Sequence, residues 1–330
     1  MITRRKIVIA LGAGSFASFA SFASFAQQPL AKVFRIGYLG PSPAAAPGFL
    51  DAFRDGLRER GYVEGRNLAI EYRYTDGTGK GYGAEAGDLV ARHVDVIAAS
   101  VANAAVYARK ATQAIPIVMM NGDDPVENGL AASLAHPGGN VTGVVRLSSE
   151  LLPKNLEFLS KIVPREKRIT LLVDPNSPVT NIALPHAKRS AKTLGLELSI
   201  VEARNVAEID ALFAILRKQR PGALIVSGSG TFYVHRARLA DLALKLHLPS
   251  MFAFSEQVEA GGLAAYSVSS IENYRRAAVF VDKILKGAKP ADLPIEQPTN
   301  FELVVNMKTA KALGIKIPNS ILVLATKIIE

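Results

Sequence analysis

Ile115-Pro-Ile-Val-Met-Met120 and Leu248-Pro-Ser-Met-Phe-Ala253 are the two stretches on which the reading of the fold turns. Each is a short apolar run of strand length with proline in second place, and each follows a segment with helical spacing. Each also leads to a paired glycine and another apolar run: Gly138-Gly139-Asn-Val-Thr-Gly-Val-Val145 after the first, Gly261-Gly262-Leu-Ala-Ala-Tyr-Ser-Val268 after the second. Matching elements lie roughly 120–135 residues apart, far outside the 20–50-residue period of solenoid repeats. A duplicated domain explains this spacing.

The segments upstream of the two runs follow one order. In the first half, Val33-Phe-Arg-Ile-Gly-Tyr-Leu39 reads as a strand, 47–60 as a helix and Asn67-Leu-Ala-Ile-Glu-Tyr-Arg-Tyr74 as an edge-side strand. A helix over 84–93, a buried strand Val94-Asp-Val-Ile-Ala-Ala99 and a helix over 103–114 follow. In the second half, Lys167-Arg-Ile-Thr-Leu-Leu-Val173 reads as a strand and 182–194 as a helix. Strand Leu196-Glu-Leu-Ser-Ile-Val201, helix 207–219, strand Ala223-Leu-Ile-Val226 and helix 234–246 come next. Such alternation calls for parallel sheets covered on both faces. The fold class is therefore α/β, with two Rossmann-like lobes. Helix 274–285, the proline-rich connection 289–294 and strand Phe301-Glu-Leu-Val-Val-Asn306 complete lobes already begun, so the chain crosses between them more than once. The boundaries expected are 33–145 plus 266–300 for lobe one and 146–265 plus 301–330 for lobe two, joined by a multi-strand hinge. Lobes joined in this way hold a ligand in the cleft between them.

Ahead of the lobes, Thr3-Arg4-Arg5-Lys6 and an apolar Ala/Phe/Ser-rich run to Ser24-Phe25-Ala26 read as a signal peptide over 1–26. The paired arginines resemble a twin-arginine signal, with Sec export the alternative. The expected location is the periplasm. The chain has no cysteine, which excludes a lipid anchor at a processed cysteine, disulfides and thiolate metal sites. The formal charge of +10 is spread over helical faces such as Arg54/Arg58/Arg60 and Lys188/Arg189/Lys192, without a basic block, so no nucleic-acid partner is expected.

Longer phrases carry a family resemblance. They include Phe53-Arg-Asp-Gly-Leu-Arg-Glu-Arg-Gly-Tyr-Val-Glu-Gly-Arg-Asn67, Asp123-Asp-Pro-Val126 with Leu134-Ala-His-Pro-Gly-Gly-Asn-Val-Thr-Gly143, and Phe301-Glu-Leu-Val-Val-Asn-Met-Lys-Thr-Ala-Lys-Ala-Leu-Gly314. On these the chain resembles the solute-binding proteins of ABC importers, in the subgroup related to tryptophan and aromatic amino-acid binders. The resemblance implies the type I periplasmic-binding fold, a small-molecule ligand, an ABC permease as partner, a monomer, no cofactor and no enzymatic activity. Two departures stand out: Ser267 follows Tyr266 where the family commonly has glycine, and 76–83 is unusually rich in glycine.

In open α/β sheets ligands bind beyond the carboxyl ends of the strands. The loops placed there supply Ser42, Ser100, Asn103, Asn121 and Asp124 in lobe one, and Asp174, Asn176, Ser227 and Ser229 in lobe two. Small hydroxyls beside a helix N-terminus suit a carboxylate. Ser100 and Asn103 read either as that cradle or as caps of the helix that follows. Asp124 and Asp174 read either as partners of a ligand ammonium or as turn residues before proline. Among the aromatics Tyr38, Phe49, Phe232, Tyr233, Phe254 and Tyr266, Phe254 and Tyr266 are the candidates for stacking on a planar ligand; the resemblance places Tyr266 on a crossing strand facing the cleft. Catalytic signatures are missing: Gly77-Thr-Gly-Lys-Gly81 lacks phosphate-loop spacing, Ser227-Gly-Ser-Gly230 is not a nucleophile elbow, and the five histidines share no metal-ligand spacing. The function expected is capture of a small carboxylate-bearing ligand, an aromatic or branched amino acid, for import. A sensing subunit for a membrane receptor and an exported α/β hydrolase are the alternatives.

Overall fold

The computed structural model describes residues 32–46, 48–75 and 81–330. The expected signal peptide lies outside the described residues, and so does most of the glycine-rich turn over 76–83. The first lobe is built from β1 (Phe34–Pro41), α1 (Phe49–Arg58), β2 (Leu68–Thr75), α2 (Tyr82–Ala91), β3 (Val96–Ala99), α3 (Ala102–Ala111), β4 (Ile117–Gly122) and β5 (Val141–Val145). Its strands form one parallel sheet in the order β2-β1-β3-β4-β5.

The second lobe runs through α4 (Ser148–Ile162), β6 (Arg168–Val173), α5 (Pro178–Thr193), β7 (Glu197–Glu202), α6 (Val206–Gln219), β8 (Ala223–Val226), α7 (Gly230–Val234), α8 (Arg236–Lys245), β9 (Ser250–Phe252), α9 (Ser255–Glu259) and β10 (Ala264–Val268). The order β7-β6-β8-β9-β10 repeats that of the first sheet. The chain then returns as α10 (Ser270–Leu285), and ends with β11 (Phe301–Asn306), α11 (Met307–Ala312), α12 (Asn319–Leu322) and β12 (Lys327–Ile329). β11 pairs antiparallel with β10 and parallel with β12, which extends the second sheet to seven strands. Both lobes are thus the doubly wound units that the duplicated runs predict. Among the described residues, no helix is long and apolar enough to cross a membrane.

Each sheet is buried on both faces. One face of the first packs under α1 and α10 through Phe53, Leu57, Ala277 and Val281; the other packs under α2 and α3 through Leu89, Ala104 and Ala108. In the second lobe α4 and α5 cover one face through Leu156, Leu159 and Ala187, and α6 and α8 the other through Phe213 and Leu239. Contact between α1 and α10 is close because residue 56 is glycine: a Cβ there would stand 2.6 Å from the Arg275 carbonyl oxygen.

Three details differ from the sequence reading. Tyr266 to Val268 pair with β11 in the second sheet, so the chain crosses to the first lobe after β10 is complete rather than at 266. Helix α5 starts at Pro178, not 182, because proline at the first helical position needs no N–H partner. The segment 234–246 contains a break at His235, whose backbone leaves helical values between α7 and α8.

The joint between β4 and β5 tolerates no side chain at Gly143. Its φ is +127°, and a Cβ would fall 2.2 Å from the Met119 carbonyl oxygen. Gly143→Ala should cost about 3 kcal/mol, at the upper end of overpacking effects, read as a lower urea midpoint at unchanged m-value.

Candidate functional site

The strand order reverses between β1 and β3, and again between β6 and β8, so the loops after these strands open at the carboxyl edge of each sheet. Those edges face one another across the cleft. Three spaces meet there. The central one is polar, lined by Asn103, Asn121, Asp123, Arg146, Ser177 and Ser229 together with Phe254. On one side lies an aromatic recess walled by Phe49, Tyr82, Tyr233, Phe254 and Tyr274. On the other lies an aliphatic recess, with Arg146 and Ser227 at its polar edge.

Arg146 sits at the middle of this arrangement, one residue past β5 on the first crossing. It is only 4 % exposed. Its Nη2 donates to the Ala253 carbonyl oxygen at 2.8 Å, and its guanidinium carbon lies 4.0 Å from the Phe254 ring centroid. Its Nε is buried without a hydrogen-bond acceptor. Burial pulls the Arg146 pKa down from its ordinary value, opposed by the charges of Asp123 and Glu256. Glu256, in turn, is pushed up by burial against the pull of Arg146. A guanidinium held this way has stacking and one acceptor but lacks a full set of partners, which is costly in a buried site.

The candidates from the sequence divide by where the structure puts them. Asn103, Asn121, Ser229 and Phe254 border the central space, and Ser227 borders the aliphatic recess. Asn121 is fixed from behind: its amide nitrogen donates to Ser270 Oγ at 3.2 Å, and its oxygen accepts from Asn273 Nδ2 at 3.0 Å. Ser229 Oγ caps α7 by accepting the Phe232 N–H at 3.0 Å. Neither Ser100 nor Asn103 caps α3; the capping position is Val101, in extended conformation and without a side-chain bond. The first turn of α3 therefore presents N–H groups that no capping side chain occupies.

The other candidates lie off the cleft centre. Ser100 is fully buried beneath the floor, its Oγ 2.0 Å from where a Cβ on Gly40 would be, and its carbonyl accepts from the Tyr274 hydroxyl at 3.3 Å. Ser42 Oγ accepts the Ala45 N–H at 3.3 Å in a turn. Asp124 takes a left-handed backbone, with φ of 39° and its carbonyl accepting from Asn128 N–H at 2.9 Å. Asp174 is buried, accepts the Asn176 N–H at 2.9 Å, and has its carboxyl pKa raised by burial; Asn176 itself is exposed. Tyr266 points its ring into the second lobe, stacked 5.8 Å from Phe301 and tilted against Phe158 at 5.0 Å. It does not border any of the three spaces, because β10 turns that face toward α4.

Arg146, Asp123, Ser177 and Tyr274 were not among the candidates. The signal for Arg146 was its place directly after the strand that ends Gly143-Val-Val145, the same topological position as the other loops. Tyr274 is buried on α10, and burial pushes its hydroxyl pKa up.

The lobes touch across the cleft. Phe49 of the first lies 5.2 Å from Tyr233 of the second and 4.9 Å from Tyr274. Tyr233 meets Phe254 edge-on at 5.0 Å. Arg236 Nη1 of the second lobe donates to the Ala45 carbonyl of the first at 2.6 Å, while its guanidinium covers the Tyr233 ring.

A family model described as ABC transporter substrate binding protein matches residues 45–329. A curated tyrosine-binding protein of Clostridioides difficile (strain R20291) is 25% identical over 272 residues, covering 82% of this chain and 77% of that protein. The ABC domain from Streptococcus pneumonia in complex with L-Trp superposes with a TM-score of 0.83 at 26% identity, covering 90% of this chain and 100% of that one. A ligand-free, open substrate binding protein with adhesive properties from Clostridium difficile gives a TM-score of 0.65 at 23% identity, covering 90% of this chain and 99% of that one. The chain belongs to the ABC transporter substrate-binding protein family.

Removing the contact at the cleft mouth should favour the open form. Arg236→Ala deletes a charge-assisted bond of roughly 1.5–3 kcal/mol, so the closed-to-open ratio should fall about tenfold or more. Small-angle X-ray scattering of the ligand-free protein should then show a larger radius of gyration than for the unaltered chain.

Proposed function

We propose that this family member is the exported solute receptor of an ABC importer, binding a small carboxylate-bearing ligand in the interlobe cleft and handing it to a membrane permease. The ligand class is an amino acid with an aromatic or branched side chain. The observation that carries this reading is the buried Arg146, with an unsatisfied Nε, facing a polar space that opens onto an aromatic recess. A carboxylate in the central space would give Nε the acceptor it lacks, and the first-turn N–H groups of α3 favour the same charge. Asp123, on the same wall, supplies the negative charge that an α-ammonium group requires.

The aromatic recess argues for the side chain. Its rings come from both lobes, so a planar group placed among Phe49, Tyr233, Phe254 and Tyr274 would be buried only when the cleft is closed. A ligand with contacts on both sides shifts the population toward closure by its differential affinity for the two states. The contacts of Phe49 with Tyr233 and of Arg236 with Ala45 across the cleft support reading the present arrangement as closed. The tyrosine and tryptophan named for relatives make these two amino acids the first ligands to test. The signal-like sequence over 1–26 supports export to the periplasm, and a cleft built within one chain is compatible with action as a monomer.

The test is a thermal-shift and calorimetry screen of the purified protein against amino acids and aromatic acids. A ligand at a hundred times its dissociation constant should add about 2.7 kcal/mol of stability. If no member of either class moves the melting point, the ligand assignment fails. Arg146→Met keeps the apolar bulk against Phe254 and removes the donor. It should weaken L-tyrosine or L-tryptophan binding by about 10- to 100-fold, the range for a charged hydrogen bond, while the corresponding amino-acid amides lose much less.

A further inference from the structure

Resting on that reading of the cleft, the aliphatic recess has a different chemistry from the aromatic one and shares its polar edge. It lies in the second lobe between α4, α5 and the end of β6. Leu151 and Leu152 come from α4, Val173 ends β6, and Val179, Ala183 and Leu184 come from α5. No aromatic ring borders it. Two buried polar atoms that lack hydrogen-bond partners, Arg146 Nε and Ser227 Oγ, belong to residues at its edge, and these residues are 4 % and 6 % exposed. Asn155 and Thr180 also border it, but both are hydrogen-bonded to backbone carbonyls, so a mostly aliphatic recess with two unsatisfied polar groups at its edge fits an aliphatic chain that ends in a carboxylate.

Arg146 also borders the central space, which continues into the aromatic recess through Val101, Asn121, Gly230 and Phe254. The head-group anchor therefore stands between two side-chain pockets of unlike lining. We propose that the cleft has two alternative side-chain subsites around one carboxylate anchor: aromatic amino acids place the ring among Phe49, Tyr233 and Tyr274, and branched aliphatic amino acids place the chain between α4 and α5. The two classes compete for Arg146 and are discriminated by different residues. Ser227 serves the aliphatic orientation alone, because it borders that recess and not the aromatic one.

The test compares L-leucine and L-tyrosine by calorimetry on the same protein preparations. In the unaltered chain each should bind, and each should displace the other. Ala183→Leu fills the aliphatic recess and should weaken L-leucine at least tenfold while changing L-tyrosine less than threefold; retained tyrosine binding also certifies the fold. Leu184→Phe, at a half-buried position on the same wall, gives the same readout should Ala183→Leu fail to fold. Ser227→Ala should weaken L-leucine about tenfold and leave L-tyrosine unchanged. Phe49→Ala also removes the ring contact between the lobes, so it should weaken both ligands, L-tyrosine at least tenfold more than L-leucine. Equal effects on both ligands, simultaneous binding of the two, or tyrosine binding without any leucine binding would overturn the two-subsite proposal and leave the receptor reading standing. Binding of neither would overturn both.

Discussion

The packing of α10 on α1 holds the architecture together. A helix that follows the second lobe's β10 in sequence lays Ala277, Ala278 and Val281 against Phe53 and Leu57 of the first lobe, at a spacing that Gly56 permits. Beyond the crossing after β5, that single piece of burial makes the chain cross back after β10 and again before β11. It also reaches the site. Through Ser270 and Asn273 it fixes the Asn121 amide, and through Tyr274 it supplies one wall of the aromatic recess. Fold and cleft are therefore coupled at one helix, and any movement of the lobes must bend the crossings on either side of it.

Against that frame the site is defined by an imbalance of charge and partners. Several arginines outside the cleft meet carboxylates: Arg73 meets Asp88 and Glu85, Arg238 meets Asp210, Arg276 meets Glu296, and Arg275 meets Glu59. Such pairs are neutral in sum, and the exposed ones contribute little to stability. Arg146 is different in kind. It is buried, stacked and incompletely hydrogen-bonded, a state that calls for a physical reason in a native structure.

The fold was legible because it depends on local pattern. Strand-length apolar runs, their proline and glycine punctuation and their repetition between the halves fix two doubly wound sheets without knowledge of any long-range contact. The site was legible only as far as topology reaches. Asn103, Asn121, Ser227 and Ser229 follow from their loops, and all border the cleft. The role of Arg146 comes from Ala253 and Phe254, more than a hundred residues away, which local pattern does not encode. Ser100 sinks beneath the floor because Gly40 has no Cβ to keep it out. Tyr266 misled for a related reason: alternation along β10 states that its side chains face two ways, and only the neighbours Phe158 and Phe301 decide which way this ring goes. Residues on loops at strand ends are placed by topology, whereas residues on strands need their packing partners named.

Closure then divides into two contributions with separate physical origins. The Arg236 bond to Ala45 and the ring contacts of Phe49 with Tyr233 join the lobes with no ligand involved. They reduce the free energy a ligand must provide, since a ligand needs only the remaining difference between the open and closed states. They are not selective, because any occupant that does not obstruct them leaves them intact. Preference for a carboxylate rests instead on groups left unsatisfied, and among the described residues the cleft places Arg146 Nε and Ser227 Oγ there. A solute that closes the lobes without supplying an acceptor leaves a guanidinium partly unpaired in a dry site, and that penalty falls on the closed complex rather than on the open one. Under the proposed function, recognition and closure are thus separable, with the contacts between lobes favouring closure and the cleft centre deciding what they close upon.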